Sequence, residues 1–314
     1  MTAATNTPGP SESPYEQTMR IAVGLARFKN MEDIPLPVLT NLVKDMDILR
    51  LAGSLLTPGS AQDGMCVCLP PGVGKSTAAR MMVRSSASRA GLPAEKGPVL
   101  LVTLDVEESV SLWSSLLRDL GDPYWAVGYP KNLKNRAIKL IAKRGVDLII
   151  IDEFNHSVDR GQARLLMNTV KEILNAGLCP VVVMGTDDEI EKLPRNDAWE
   201  RRMVHASVIG PLRWDSGEQE KCWKGFLKGL DKGIVDLDIL TQRSGFGRED
   251  IAKALFDACD GVIGYAYWVV QDALTEVLKR NARTIERSDL AISVNRLFVK
   301  HELYDRLNAV EGLA

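Results

Sequence analysis

The segment Cys66–Met82, CVCLPPGVGKSTAARMM, constrains the fold more than any other part of the chain. An apolar run over Met65–Leu69 reads as a strand, Pro70 to Gly74 as a turn, and a helix opens at Lys75. Glycines at 72 and 74 let backbone N–H groups curl around a phosphate, and the helix N-terminus adds partial positive charge there. Lys75 is placed to reach β- and γ-phosphates and the Ser76 hydroxyl to ligate Mg²⁺. The candidate nucleotide-binding residues are therefore Pro71, Gly72, Val73, Gly74, Lys75, Ser76 and Thr77. Leu69 stands where the full pattern carries its first glycine.

Such a loop needs a buried parallel sheet behind it, and the following sequence supplies one. Pro98–Asp105, Val146–Ile151 and Pro180–Met184 are apolar without polar alternation, as in strands covered on both faces, and Val204–Ile209 reads as a fifth. Helical stretches over Thr77–Ser86, Val106–Leu120, Leu133–Lys143 and Gly161–Ala176 alternate with them. In VDLIIIDEFNH the strand delivers Asp152 and Glu153 to its C-terminal end, where such sheets bind ligands. Asp152 is the expected Mg²⁺ partner and Glu153 the expected polariser of an attacking water; ordinary strand-end solvation is the bland alternative. The next strand ends at Gly185-Thr186, and Thr186 is a candidate γ-phosphate sensor or a plain strand residue. Arg201 and Arg202 precede the last strand. They are either solvated surface groups or a cation pair reaching a neighbour's γ-phosphate.

Composition narrows the function classes. In 314 residues, 39 Lys and Arg against 41 Asp and Glu leave a formal net charge of −2, so no global positive field drives nucleic-acid binding. There is no uninterrupted apolar run of the length a spanning helix needs, and the first residues lack a basic start and apolar core, so a cytoplasmic location is expected. The five cysteines show no paired metal-ligand spacing and are expected to be buried and unreactive. The expected divisions are a disordered tail over 1–14, an N-terminal helical segment over 15–60, an α/β domain over 61–212 and a smaller all-helical domain over 213–314. The aromatics Tyr265, Tyr267 and Trp268 are expected in the core of that last domain.

The order of phosphate loop, Asp-Glu strand, sensor strand, arginine pair and helical lid resembles an AAA+ P-loop ATPase sandwich. LIIIDEFNH, LLMNTVKEILNAGLCPVVVMGT and RRMVHASVIGPLRW are most similar to the TniB/TnsC family of transposition ATPases. Asn155-His156 stands in reverse of the commoner order, Met203 replaces an aromatic, and Gly264-Tyr265 falls where many AAA+ lids carry a sensor arginine. The resemblance implies ATP and Mg²⁺ as cofactors and slow, regulatory hydrolysis. It also implies a homo-oligomer, ring or helical filament, on duplex DNA, which recruits a transposase with or without a target-selection adaptor. A helicase-loader ATPase acting on single strands and an ATP-binding scaffold without DNA are the competing readings.

One stretch supports DNA binding independently. PKNLKNRAIKLIAKRG contains six basic residues and no acid. Lys131, Lys134 and Arg136 cluster at its helical start and are the candidate contacts to a DNA backbone, with a solvated helix face as the alternative. KRNARTIER, from Lys279, is equally ambiguous.

Overall fold

The computed structural model describes residues 13–104, 111–154, 160–186, 201–205, 209–214, 217–299 and 310. The chain forms two compact units, one of residues 35–210 and one of residues 1–34 with 211–314. The expected N-terminal segment 15–60 is thus divided: its first helix belongs with the C-terminal helices and its second with the sheet.

In the unit of residues 35–210, five strands form one parallel sheet: β1 (Gly64–Cys68), β2 (Val99–Thr103), β3 (Leu148–Asp152), β4 (Val181–Gly185) and β5 (Met203–His205). Their order is β2-β3-β4-β1-β5. Every residue of β3 and β4 is buried, as their unbroken apolar sequences require. Register pairs Cys68 with Gly185, Ile151 with Val183 and Gly64 with Met203. The expected strand over Val204–Ile209 is seen as Met203–His205, and residues 206–208 lie outside the described residues.

Helices α2 (Pro37–Ser54), α3 (Lys75–Arg89), α4 (Leu112–Asp119), α5 (Pro130–Arg144) and α6 (Arg160–Asn175) accompany the sheet. A charged network ties α2 to the sheet. Arg50 donates to Asp147 at 2.5 Å and to Asp47 at 2.9 Å, and Arg89 donates to Asp47 at 2.8 Å. Burial pushes the Asp147 carboxyl above its ordinary range, and Arg50 opposes that rise. All five cysteines are free thiols, four of them buried, with Cys68 half-buried. Burial pushes Cys179 up to about 12, which keeps it protonated and inert.

The helical unit contains α1 (Pro14–Lys29), α7 (Gly217–Asp236), α8 (Glu249–Cys259), α9 (Ile263–Lys279) and α10 (Arg287–Val294). A capping box of Ser13 and Glu16 starts α1. Gly24 lets α1 approach α9, because a Cβ there would stand 2.8 Å from Leu278 Cδ1, and Phe28 stacks on Tyr267 at 4.8 Å. The fully buried Trp223 donates its indole N–H to the Ala252 carbonyl at 2.9 Å and packs edge-on to Phe256. Of the three aromatics expected in this core, Trp268 is half exposed.

Candidate nucleotide-binding site

The strand order assembles the site. β4 lies between β1 and β3, so the C-terminal ends of three adjacent strands present the phosphate loop, Thr186 and the Asp152-Glu153 pair side by side. Neighbouring parallel strands stand about 4.8 Å apart, so loop and carboxylates are roughly 10 Å apart, the room a polyphosphate and a cation require. The Leu69 N–H donates to Gly185 O at 3.1 Å and fixes the loop's entry against β4.

Within the loop, Gly72 has φ +76° and Gly74 φ +104°, conformations that side chains resist. Gly74 is also pressed by α2: a Cβ there would meet both Leu39 methyls at 3.0 Å. Gly74 caps α3 without a side-chain hydrogen bond, so no side chain of its own competes with an anion for the N–H groups of the first turn. Lys75 is buried and its Nζ donates to the Leu69 carbonyl at 2.6 Å and the Pro70 carbonyl at 3.4 Å. The ammonium is therefore held on the loop. Pro71 is exposed, Val73 is buried, and Ser76 and Thr77 are half-buried. The Thr77 hydroxyl accepts from Arg80 at 3.0 Å.

Asp152 is buried at the end of β3, and one of its oxygens accepts the Glu153 N–H at 3.0 Å. Glu153 has φ +58°. The left-handed region costs a non-glycine residue about 1–2 kcal/mol, and such strain collects at functional sites. Among the described residues no group of three or more His, Cys, Asp or Glu forms a metal cluster. A divalent cation here would instead take Ser76, Asp152 and phosphate oxygens, a donor set of hard oxygens that suits Mg²⁺.

The arginine pair lies at the other end of the sheet. Arg202 O accepts the Gly64 N–H at 2.8 Å, and its guanidinium donates to Gln62 O at 3.3 Å, both at the start of β1. The phosphate loop follows the end of β1. Four strand steps, about 13 Å, plus the loop separate the two, farther than an arginine side chain extends. Gln62, which holds Arg202, and Leu39, which closes on Gly74, carry no sequence signal that would have picked them out. Asn155 and His156 lie outside the described residues, as does the segment 187–200.

On the basic helix, two of the three expected DNA contacts have partners within the chain. Lys134 pairs with Glu172 at 2.9 Å and lies 5.9 Å from the centre of the Trp113 ring. Arg136 donates to Asp122 at 2.6 and 3.0 Å and to the Tyr124 and Val127 carbonyls, both at 2.8 Å. Its guanidinium holds the Asp122 carboxyl below the usual range. These two residues are staples of the protein itself, because Glu172 and Asp122, distant in sequence, fold beside them. The exposed face of α5 carries Lys131, Lys139 and Lys143, which at 100° per residue fall within about a third of the circumference. In the lid, Lys279 pairs with Glu276 and Arg280 with Asp289.

Residues 45–210 match the family described as bacterial TniB protein. No curated protein sequence matches this chain. In structure it is similar to the Aeropyrum pernix ORC2 protein (TM-score 0.57, 14% identity, 90% of this chain and 74% of that one). Drosophila ORC bound to DNA gives a TM-score of 0.53 at 14% identity over 96% and 72%. Saccharomyces cerevisiae Hsp104 in complex with casein gives 0.56 at 17% over 91% of this chain and 46% of that one. At these identities the likeness establishes the fold, an AAA+ P-loop sandwich with a helical C-terminal portion. With more than half of its length matched, and with the phosphate loop, acidic strand and arginine pair all inside or adjoining that match, the chain belongs to the bacterial TniB protein family.

Proposed function

We propose that this protein is a Mg²⁺-dependent ATPase of slow turnover that assembles head to tail on duplex DNA and regulates a transposase. The observation that carries the reading is the placement of Arg201 and Arg202 at the end of the strands opposite their own phosphate loop. There they serve only a neighbour's γ-phosphate, so a complete site requires two copies. Heterologous contacts of that kind close into rings or continue as helical filaments.

The roles follow from position. Backbone N–H groups from Gly72 to Thr77 cradle the phosphates, and Lys75 moves from the loop carbonyls to the β- and γ-phosphates. Ser76 and Asp152 hold the cation, and Glu153 orients and deprotonates water. Thr186, between loop and carboxylates, contacts the γ-phosphate, and the neighbour's arginines stabilise charge in the transition state, a contribution of roughly 10³–10⁵ in rate. DNA association draws support from the family and from the DNA-bound ORC of like fold. The exposed lysine face of α5, which offers charge without base-reading groups, suits contact with the backbone of any sequence.

Electron microscopy with duplex DNA and a slowly hydrolysed ATP analogue tests the reading. Ordered assemblies on duplex DNA only with nucleotide are expected. Preference for single strands would transfer the protein to the helicase-loader class, and assembly indifferent to DNA would leave an ATP-dependent scaffold.

A further inference from the structure

Strand β1 closes on Cys66 and Cys68, and alternation along a strand turns both side chains to the same face. Their sulfurs stand 3.6 Å apart, within reach for one thiol to donate to the other. Cys66 is 1% exposed whereas Cys68 is half-buried, so a small solute meets Cys68 first. Core packing accounts for each thiol singly; two in contact beside the phosphate loop add chemistry. The residue that follows them is Leu69. Its N–H donates to Gly185 O at 3.1 Å, and its carbonyl accepts from Lys75 Nζ at 2.6 Å. The pair therefore adjoins a residue that both fixes the loop to β4 and holds the ammonium.

We propose that Cys66 and Cys68 are a modification site, an oxidisable dithiol whose disulfide displaces Leu69 and weakens nucleotide binding. The effect on nucleotide rests on the nucleotide-site reading above; the linkage itself does not. The Cys68 thiolate attacks hydrogen peroxide, the O–O bond breaks, and the sulfur becomes a sulfenic acid while the other oxygen leaves as hydroxide and is protonated to water. The Cys66 sulfur then attacks the Cys68 sulfur. The S–S bond forms, the S–O bond breaks, and the departing hydroxide takes the Cys66 proton as a second water. Strand geometry dictates the consequence. Two strand steps set the Cα atoms about 6.6 Å apart, whereas disulfides favour about 5.5–6 Å and extend to about 6.8 Å. Closing the bond draws in the end of β1. Cys66 is paired on both sides, with Val183 of β4 and His205 of β5, while Cys68 is paired with Gly185 alone, so Cys68 is the residue that moves. That movement pulls Leu69 from Gly185 and shifts the carbonyl on which Lys75 rests. A bond closed under such strain is readily reduced by an added thiol, so the modification is reversible.

The test uses the full chain without DNA, treated with hydrogen peroxide or with dithiothreitol. Part of each sample is denatured and alkylated so that its mass counts the remaining thiols, and ATP affinity is measured on the rest by calorimetry. Reduced protein is expected to take up five alkyl groups and oxidised protein two fewer, with a peptide that carries the Cys66–Cys68 link. Oxidation lowers ATP affinity at least tenfold, and dithiothreitol restores it. Cys68→Ala forms no link and keeps the parental affinity before and after peroxide, which separates the pair from oxidation of methionine. Cys66→Ala, lacking the second sulfur, leaves a sulfenic acid at Cys68 that dimedone traps. If the thermal midpoint shows Cys68→Ala to be damaged, Cys68→Ser is read by the same criterion. Five alkylated thiols after peroxide, a link to any other cysteine, or parental ATP affinity in the linked protein overturns the proposal. If the reduced parent binds no ATP, the nucleotide-site reading falls, and the thiol count alone decides the linkage.

Discussion

At the scale of single residues, Lys75 and Glu153 carry opposite kinds of evidence. Lys75 is held by the loop carbonyls around it, and on the proposed reading its removal deletes the ammonium that meets the phosphates. Lys75→Ala is expected to reduce ATP affinity to near the limit of detection by calorimetry. Glu153 is held in a conformation its side chain disfavours. Glu153→Gln should bind ATP with parental affinity and hydrolyse it at least a hundredfold more slowly, since general-base help contributes about 10²–10⁴. Glu153→Gly should lose hydrolysis equally yet equal or exceed the parent in stability by up to about 1 kcal/mol, because glycine carries no penalty at φ +58°. Urea titration checks this. A clear loss of stability in Glu153→Gly would show that the side chain is held by favourable contacts rather than strained for function.

Among the elements, α5 divides labour between its faces, and α2 is tied to the sheet by charge. On α5, Lys131→Ala with Lys139→Ala should weaken duplex binding for all sequences alike and flatten the slope of log K against log salt by about 0.9 per lost phosphate contact. Arg136→Ala, by contrast, should leave that slope unchanged and lower stability, through loss of hydrogen bonds to a charged partner and to two carbonyls. The two effects are separable by filter binding at several salt concentrations and by denaturation. On α2, Arg50→Ala leaves Asp47 and Asp147 facing each other without their shared cation. A destabilisation of about 3 kcal/mol is expected, and most of it should be relieved on adding Asp147→Ala. Additive losses in that double-mutant cycle would mean the network is not one unit.

For the whole molecule the decisive property is that the parallel sheet has two ends, one with the phosphate loop and one with the arginine pair. Mixing Glu153→Gln protein with the Arg201→Ala, Arg202→Ala variant tests whether they meet between copies. Neither variant alone should hydrolyse ATP appreciably. In mixed assemblies, an interface pairing an intact Glu153 with a neighbour's intact arginines should restore hydrolysis, with a maximum near equal proportions. No recovery across mixing ratios, with co-assembly verified, would mean the arginines act elsewhere or not at all.

The strand, turn and helix that frame the candidate nucleotide site were legible because their geometry is local. A turn that must curl around phosphate needs Gly72 and Gly74, a strand that must be buried on both faces needs the LIII of β3, and both lie contiguous in the chain. The parallel sheet followed from the same unbroken apolar runs. What local sequence does not encode is which distant group arrives beside a side chain. Lys134 and Arg136 read as a cationic patch until folding set Glu172, Trp113 and Asp122 against them, neutralising charge that the linear pattern left open. The sequence marks a helix after Tyr15 but not the element it packs on; the close approach at Gly24 to Leu278 and the stacking of Phe28 on Tyr267 assign it to the C-terminal helices rather than to the sheet. The direction of Arg202, away from its own phosphate loop, likewise comes from the pairing of β5 with the start of β1, because strand register is a long-range contact and no run of neighbouring residues specifies it.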